Sequence, residues 1–345
     1  MLKRLLLVLL LVSPLAACDA GAPAATPTPT ALPATPTPTG PALTDVLAHT
    51  VLTDLIMPSR DEGWAVGAPA DGLGGDGTIL HYQSGTWHVV ASPPPGALFA
   101  VGAGRAGDVW AAGERRILHY QGGQWTSVPN PSAATLRSLT VAPDGTVWGV
   151  GSGASLSSST VISGTQNGWS LGSLLLGEAA GITIAPDGTV WAVGRPAGSL
   201  GATGIAYKRS GGWNIAPDVA LLMLRQLPLR RIQMVSNTEG WAAGGGTILH
   251  YQDGKWETVA QLKADLYGLA LSPTGDTGWA VGSAGAIFQY KAGQWTEAPS
   301  PTDLGLSQVA WMSADEAWAV GGQGAYNAHG ILLHYTQGAW SVYQP

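Results

Sequence analysis

From Leu139 onward apolar side chains alternate with small or polar ones, Leu139 and Val141 against Thr140 and Ala142, until Pro143-Asp144-Gly145 turns the chain into Thr146-Val147-Trp148-Gly149-Val150. Period-two alternation interrupted by Pro-Asp-Gly predicts two strands joined by a tight turn. The turn returns as Pro186-Asp187-Gly188 and, varied, as Pro273-Thr274-Gly275 and Asn237-Thr238-Glu239-Gly240. Counting back nine and seven residues from the Trp of the second strand gives Leu55 and Met57, Val101 and Ala103, Leu139 and Val141, Ile182 and Ile184, Ile232 and Met234, and Val309 and Trp311. A fixed offset predicts one register for the innermost strand of these units, with one further unit shifted by an extra turn residue to Leu269 and Leu271.

A third strand holds Ile79-Leu80-His81-Tyr82 and its copies, and a Gly-x-Trp turn returns it as a fourth, such as Trp125-Thr126-Ser127-Val128. Seven copies open at Trp64, Trp110, Trp148, Trp191, Trp241, Trp279 and Trp318 and close at Trp87, Trp125, Trp169, Trp213, Trp256, Trp295 and Trp340. A spacing of roughly 38 to 50 residues is that of a small sheet that must stack on its neighbours to bury its faces. The predicted fold is all-β, a seven-bladed β-propeller of four-stranded antiparallel blades over residues 43–345. Composition agrees: with two Phe in the chain, fifteen Trp fill the space between blades, and 49 Gly supply turns and close strand approaches. Each blade holds all four of its strands, so closure is expected from blade one packing on blade seven, with Leu43 to Thr50 adding a strand at that seam.

The amino terminus, Met1-Leu2-Lys3-Arg4, then apolar Leu5 to Val12, then Ser13-Pro14-Leu15-Ala16-Ala17-Cys18, has the form of an export signal. Leu15-Ala16-Ala17-Cys18 resembles the lipobox of bacterial lipoproteins, which implies a signal over 1–17 and an acylated Cys18, the one cysteine of the sequence. Residues 18–42, rich in Pro and Thr, are expected to form an extended stalk on the order of 60 Å long at about 3.1 Å per residue. The domain would then be held to the extracytoplasmic side of a bacterial membrane. Sixteen Lys and Arg face 22 Asp and Glu, for a net charge of −6. With no basic run, nucleic acid is not an expected partner.

The Trp-Ala-Val-Gly, Ile-Leu-His-Tyr and Gly-x-Trp unit resembles the bacterial neuraminidase (Asp-box-like) repeats, most closely the propellers similar to the photosystem II assembly factor of cyanobacteria and plastids. The resemblance covers Leu52 to Gln344 and implies fold more than activity. The Asp-box is degraded, as in Gln83-Ser84-Gly85, Gln121-Gly122-Gly123 and Lys291-Ala292-Gly293, and only Gln252-Asp253-Gly254 keeps a nearby acid.

His81, His119, His250 and His334 recur on the third strand, where other blades have Tyr207 or Gln289. With strands about 4.8 Å apart, that strand lies ~10 Å outside the innermost one, so equivalents on adjacent blades cannot share a metal at ~2 Å bonds. A hydrogen-bonded structural role is expected, and no metal or cofactor. The repeated Trp read as core, against a lesser reading of sugar-stacking pockets between blades. Arg105, Arg137, Arg195 and Arg231 show no spacing that makes a sialidase triad, and no Phe-Arg-Ile-Pro-like segment stands near the start. Nor does anything join His88, His329, Glu114 and Glu178 into a lyase site. Asp71 and Asp76 read as turn residues before they read as a calcium site.

Loop length is the more useful signal. Turns after the first and third strands are short and nearly constant, whereas second-to-third connections and blade-to-blade links vary and share one face. The longest link, from Pro217 to Arg230, holds Leu224, Arg225 and Arg230, with Arg231 following, and reads either as an insertion packed on its own blade or as a docking patch that Tyr326 and His329 could join. The sequence thus supports a non-enzymatic, lipid-anchored scaffold or assembly factor for membrane-associated proteins. The alternative is a cell-surface carbohydrate-binding propeller, and a glycoside hydrolase or lyase comes third.

Overall fold

A computed structural model describes residues 41–71, 75–90, 96–105, 107–132, 134–155, 158–174, 176–196, 204–209, 212–216, 228–324 and 329–345. Its described residues form seven four-stranded antiparallel sheets, each built from consecutive strands. Blade 1 holds β1 (Thr50–Ile56), β2 (Glu62–Pro69), β3 (Thr78–Gln83) and β4 (Thr86–Val89). Blade 2 holds β5 (Leu98–Ala103), β6 (Val109–Gly113), β7 (Ile117–Gln121) and β8 (Gln124–Val128). Blade 3 holds β9 (Leu136–Val141), β10 (Val147–Ser155), β11 (Ser158–Thr165) and β12 (Gly168–Leu174). Blade 4 holds β13 (Leu176–Ile184), β14 (Val190–Pro196), β15 (Ile205–Arg209) and β16 (Gly212–Ile215). Blade 5 holds β17 (Arg231–Met234), β18 (Glu239–Gly244), β19 (Thr247–Gln252) and β20 (Lys255–Gln261). Blade 6 holds β21 (Leu266–Leu271), β22 (Thr277–Gly282), β23 (Ile287–Lys291) and β24 (Gln294–Ala298). Blade 7 holds β25 (Leu306–Ser313), β26 (Glu316–Gln323), β27 (His329–Thr336) and β28 (Ala339–Val342). The first strand of each blade touches the first strand of the next, and β25 meets β1, so the ring is closed: the protein is a seven-bladed β-propeller.

The register follows the Trp offset. Trp64 pairs with Ile56, Trp110 with Gly102, Trp148 with Thr140, Trp191 with Thr183, Trp241 with Gln233 and Trp318 with Ala310, each eight residues apart. Trp279 pairs with Ala270, one residue further, because of the extra turn residue. Near its entry end the inner strand also bulges, leaving Thr53, Phe99, Arg137, Ala180, Tyr267 and Ser307 as the extra residue in six blades. A bulge of this kind bends a strand and re-aims a side chain.

Blades are joined by aromatic edges. The second-strand Trp of one blade meets the fourth-strand Trp of the next: Trp64 with Trp125 at 5.4 Å, Trp110 with Trp169 at 5.8 Å, Trp191 with Trp256 at 5.9 Å and Trp279 with Trp340 at 5.1 Å. Edge-on indoles at this separation add to the apolar area they bury. Closure uses the same joint, with Trp318 of blade 7 at 5.7 Å from Trp87 of blade 1 and Tyr343 Oη accepting the Trp87 backbone N–H at 3.3 Å.

One expectation at the seam fails. Leu43 to Thr50 does not add a strand; Leu43–Leu47 is a short helix, α1, and Thr50 opens β1. Leu43 and Leu47 lie four residues apart, a helical rather than an alternating spacing. Both pack into the cluster that holds Leu52, Trp87, Trp318 and Leu332, so α1 covers the joint between the two blades.

Candidate functional site

The repeated histidines are structural. Each stacks on the Trp paired with it across the second and third strands: His81 on Trp64 at 3.8 Å, His119 on Trp110 at 3.9 Å, His250 on Trp241 at 4.2 Å and His334 on Trp318 at 3.8 Å. Three donate Nε2–H to the acid two residues before that Trp: His119 to Asp108 at 2.6 Å, His250 to Glu239 at 3.2 Å and His334 to Glu316 at 3.3 Å. In blade 1 the Trp64 indole N–H donates to Glu62 at 3.2 Å. The sequence carries this pairing internally: Glu62, Asp108, Glu239 and Glu316 stand in the four His blades, and Thr146, Thr189 and Thr277 stand in the other three.

The site that departs from repetition lies on the axis. The residue eleven before the second-strand Trp, twelve in blade 6, is Thr53, Phe99, Arg137, Ala180, Arg230, Tyr267 and Ser307 around the ring. All seven line one cavity of about 370 Å³, together with Glu178, Arg195, Leu229 and Arg231. They sit where each inner strand begins, so antiparallel order puts this mouth on the face of the blade-to-blade links and second-to-third connections. That is the face whose loops vary.

The mouth is basic in an otherwise acidic chain. Arg137 lies over the Phe99 ring at 4.7 Å and Arg230 over Tyr267 at 5.3 Å, so two aromatic faces hold guanidinium groups in place on opposite sides. Arg195 pairs with Glu178 at 3.6 Å, both half exposed. An interface core enriched in aromatic and Arg side chains is the pattern of binding hot spots.

Beneath the mouth, Arg231 crosses from blade 5 to blade 1, where its Nη2 donates to Asp54 Oδ1 at 3.3 Å. Arg231 Nε donates to the Tyr267 carbonyl at 3.1 Å. Asp54 also accepts from the Val101 backbone N–H at 2.9 Å and from Gln308 Nε2 at 3.0 Å. Burial pushes the Asp54 carboxyl above its usual range, while the Arg231 charge and these N–H donors pull it back. The same register position holds Ala100, Ser138, Gly181 and Gly268 in other blades, which leaves the axis clear. A Cβ on Gly268 would stand 2.7 Å from Gln308 Cα. The pair therefore spans the axis beneath the mouth.

The sequence-derived candidates divide. Cys18, Leu224, Arg225 and Tyr326 lie outside the described residues. Arg230 lines the mouth. Arg231 also lines the mouth, with its side chain 14% exposed and tied to Asp54 rather than solvated. His329 opens β27, exposed on the strand, and is not among the mouth residues. Arg137 and Arg195, which spacing did not connect, do meet there with Arg230 and Arg231, while Arg105 does not. Asp54, Phe99 and Tyr267 were missed, although extending the Trp offset from nine to eleven residues finds the ring. Among the described residues no group of three His, Cys, Asp or Glu is placed to hold a metal.

The second-strand Trp are mostly closed off. Of the seven second-strand Trp, six are no more than 4% exposed. Trp148 is the exception, partly buried.

No family model and no curated protein sequence matches the chain. Solved structures do. YCF48 bound to a D1 peptide superposes with a TM-score of 0.60 at 17% identity, over 84% of this chain and 93% of that one. YCF48 from Cyanidioschyzon merolae gives 0.58 at 15% identity, over 84% and 96%. The WD40 β-propeller domain of Doa1 gives 0.62 at 12% identity, over 85% and 94%. At these identities the likeness is one of architecture: the chain is a seven-bladed propeller similar in fold to YCF48 and to a WD40 domain.

Proposed function

We propose that the protein is a non-enzymatic scaffold, anchored through acylated Cys18 outside the cytoplasm, that holds a peptide segment of a membrane-associated protein at its axial mouth. The carrying observation is the set of Phe99, Arg137, Arg230 and Tyr267 around the axial opening on the variable face. Its guanidinium groups suit carboxylates and its rings suit apolar side chains, the mixture a peptide presents. A D1 peptide bound to YCF48 supports a peptide as the type of ligand. The lipobox-like segment and the Pro/Thr stretch support the anchor and its stalk.

The test is site-specific photo-crosslinking of the full chain in source membranes. A photoreactive residue at Ser307, on the mouth, is expected to give a discrete adduct that Arg137→Ala with Arg230→Ala removes, while the same probe at Asp144, on the opposite face, gives none. Equal adducts from both faces, or an adduct indifferent to the arginines, would contradict the reading. Cys18→Ala is expected to move the protein from the membrane to the soluble fraction.

A further inference from the structure

The seven second-strand Trp provide an internal comparison. In six blades the residue paired with that Trp on the third strand is large: His81, His119, His250, His334, Tyr207 or Gln289. In blade 3 the partner of Trp148 is Ser163. A serine leaves one ring's volume unfilled, and Trp148 is the one of the seven that is not buried.

Beside Trp148, at the junction of blades 3 and 4, lies a cavity of about 430 Å³ lined by Trp148, the Asp187–Val190 turn, Lys208 and Arg209. Lys208 Nζ stands 5.6 Å from the centre of the Trp148 ring, near the outer limit of a cation–π contact. It stands over the ring, and its flexible stem lets a ligand displace it from that face. Asp187 is committed to its own turn, accepting the Thr189 backbone N–H at 2.9 Å. The cavity therefore sets an aromatic platform beside two cationic side chains, with the Asp187 carboxylate close enough to feel the Arg209 charge, so that Lys208 is the cation with no acid beside it in the lining. Turns after the first and third strands surround it, so it opens on the face opposite the axial mouth.

We infer that Trp148, Lys208 and Arg209 form a second binding site, for an acidic sugar whose ring stacks on the Trp148 face and whose carboxylate meets the two cations. A pyranose presents one polarised C–H face, which the negative face of an indole attracts. A carboxylate on the ring edge lies within reach of Lys208 and Arg209, with a charge-assisted bond to either. The volume is at the small end for ligand pockets, suited to one or two rings. A phosphate alone would leave the indole face uncovered, and an apolar side chain would leave Lys208 unmatched.

The test is calorimetric titration of the folded chain, in low salt, with trigalacturonate, a glucuronate-bearing disaccharide and sialyllactose, beside the methyl ester of the first and neutral lactose. Saturable binding of at least one acidic sugar is expected, with the neutral forms about tenfold weaker, as is Lys208→Ala with Arg209→Ala. Ser163→His with Thr146→Glu rebuilds the cover that other blades carry, and it is expected to abolish binding without lowering the thermal midpoint. Binding by none of the acidic sugars, equal binding of their neutral forms, or undiminished binding in the rebuilt variant would each overturn the inference. Arg137→Ala with Arg230→Ala is expected to leave this binding unchanged, which separates it from the axial site.

Discussion

Arg231 and Asp54 stand 177 residues apart in sequence and meet across the propeller axis, with guanidinium and carboxylate 3.3 Å apart. The pair is nearly closed to water, at 14% and 5% side-chain exposure. Removing one partner strands the other, so Asp54→Ala is expected to cost about 3–5 kcal/mol. Asp54→Leu combined with Arg231→Met is expected to recover most of that loss, since apolar packing replaces two desolvated charges. Urea denaturation of the two single variants and the double variant checks this.

Stability is expected to fall on mild acidification. Burial holds the imidazoles of His81 and His334 below their usual range, against the pull of Glu62 on the first and Glu316 on the second. A base whose folded value is depressed contributes stability above its unfolded value, about 6.5, and that contribution is lost as pH falls through the folded value. His334→Gln, after the Gln289 of blade 6, is expected to flatten this slope, read as thermal midpoint between pH 7.5 and 5.

Ring closure concentrates on few side chains. Trp87 is 3% exposed and joins Tyr82 and Trp318 at the seam. Trp87→Ala is expected to cost about 3–5 kcal/mol. Tyr343→Phe, which removes only the acceptor for the Trp87 N–H, is expected to cost about 0.5–1.5 kcal/mol. Thermal midpoints rank the two, and limited proteolysis of Trp87→Ala should release blade 1 before interior blades.

Fold and register were legible because each blade repeats one packing problem: the offset of Trp64 to Leu55 recurs as Trp318 to Val309. The acid two residues before each His-bearing Trp stands at one position as four acids against three threonines, but only the structure shows it to be the partner of the histidine. The axis was harder. Asp54 and Arg231 lie in blades that only ring closure brings face to face, and no local pattern announces a contact over that separation. Arg137 reaches the mouth through a bulge, which leaves no mark in alternation, and Arg230 reaches it from the residue just before β17. Leu43 to Thr50 was misread because an apolar segment beside a sheet edge fits a strand or a helix, and its burial against both blades decides the matter.

The most direct measurement is the affinity of the propeller for a synthetic peptide of the segment cross-linked from Ser307, by fluorescence anisotropy in low and moderate salt. Arg137→Ala with Arg230→Ala is expected to weaken binding at least tenfold, since hydrogen bonds to charged groups contribute about 1.5–3 kcal/mol. Higher salt is expected to weaken the parent more than the variant. Equal affinity of parent and variant would show that the mouth does not hold the ligand.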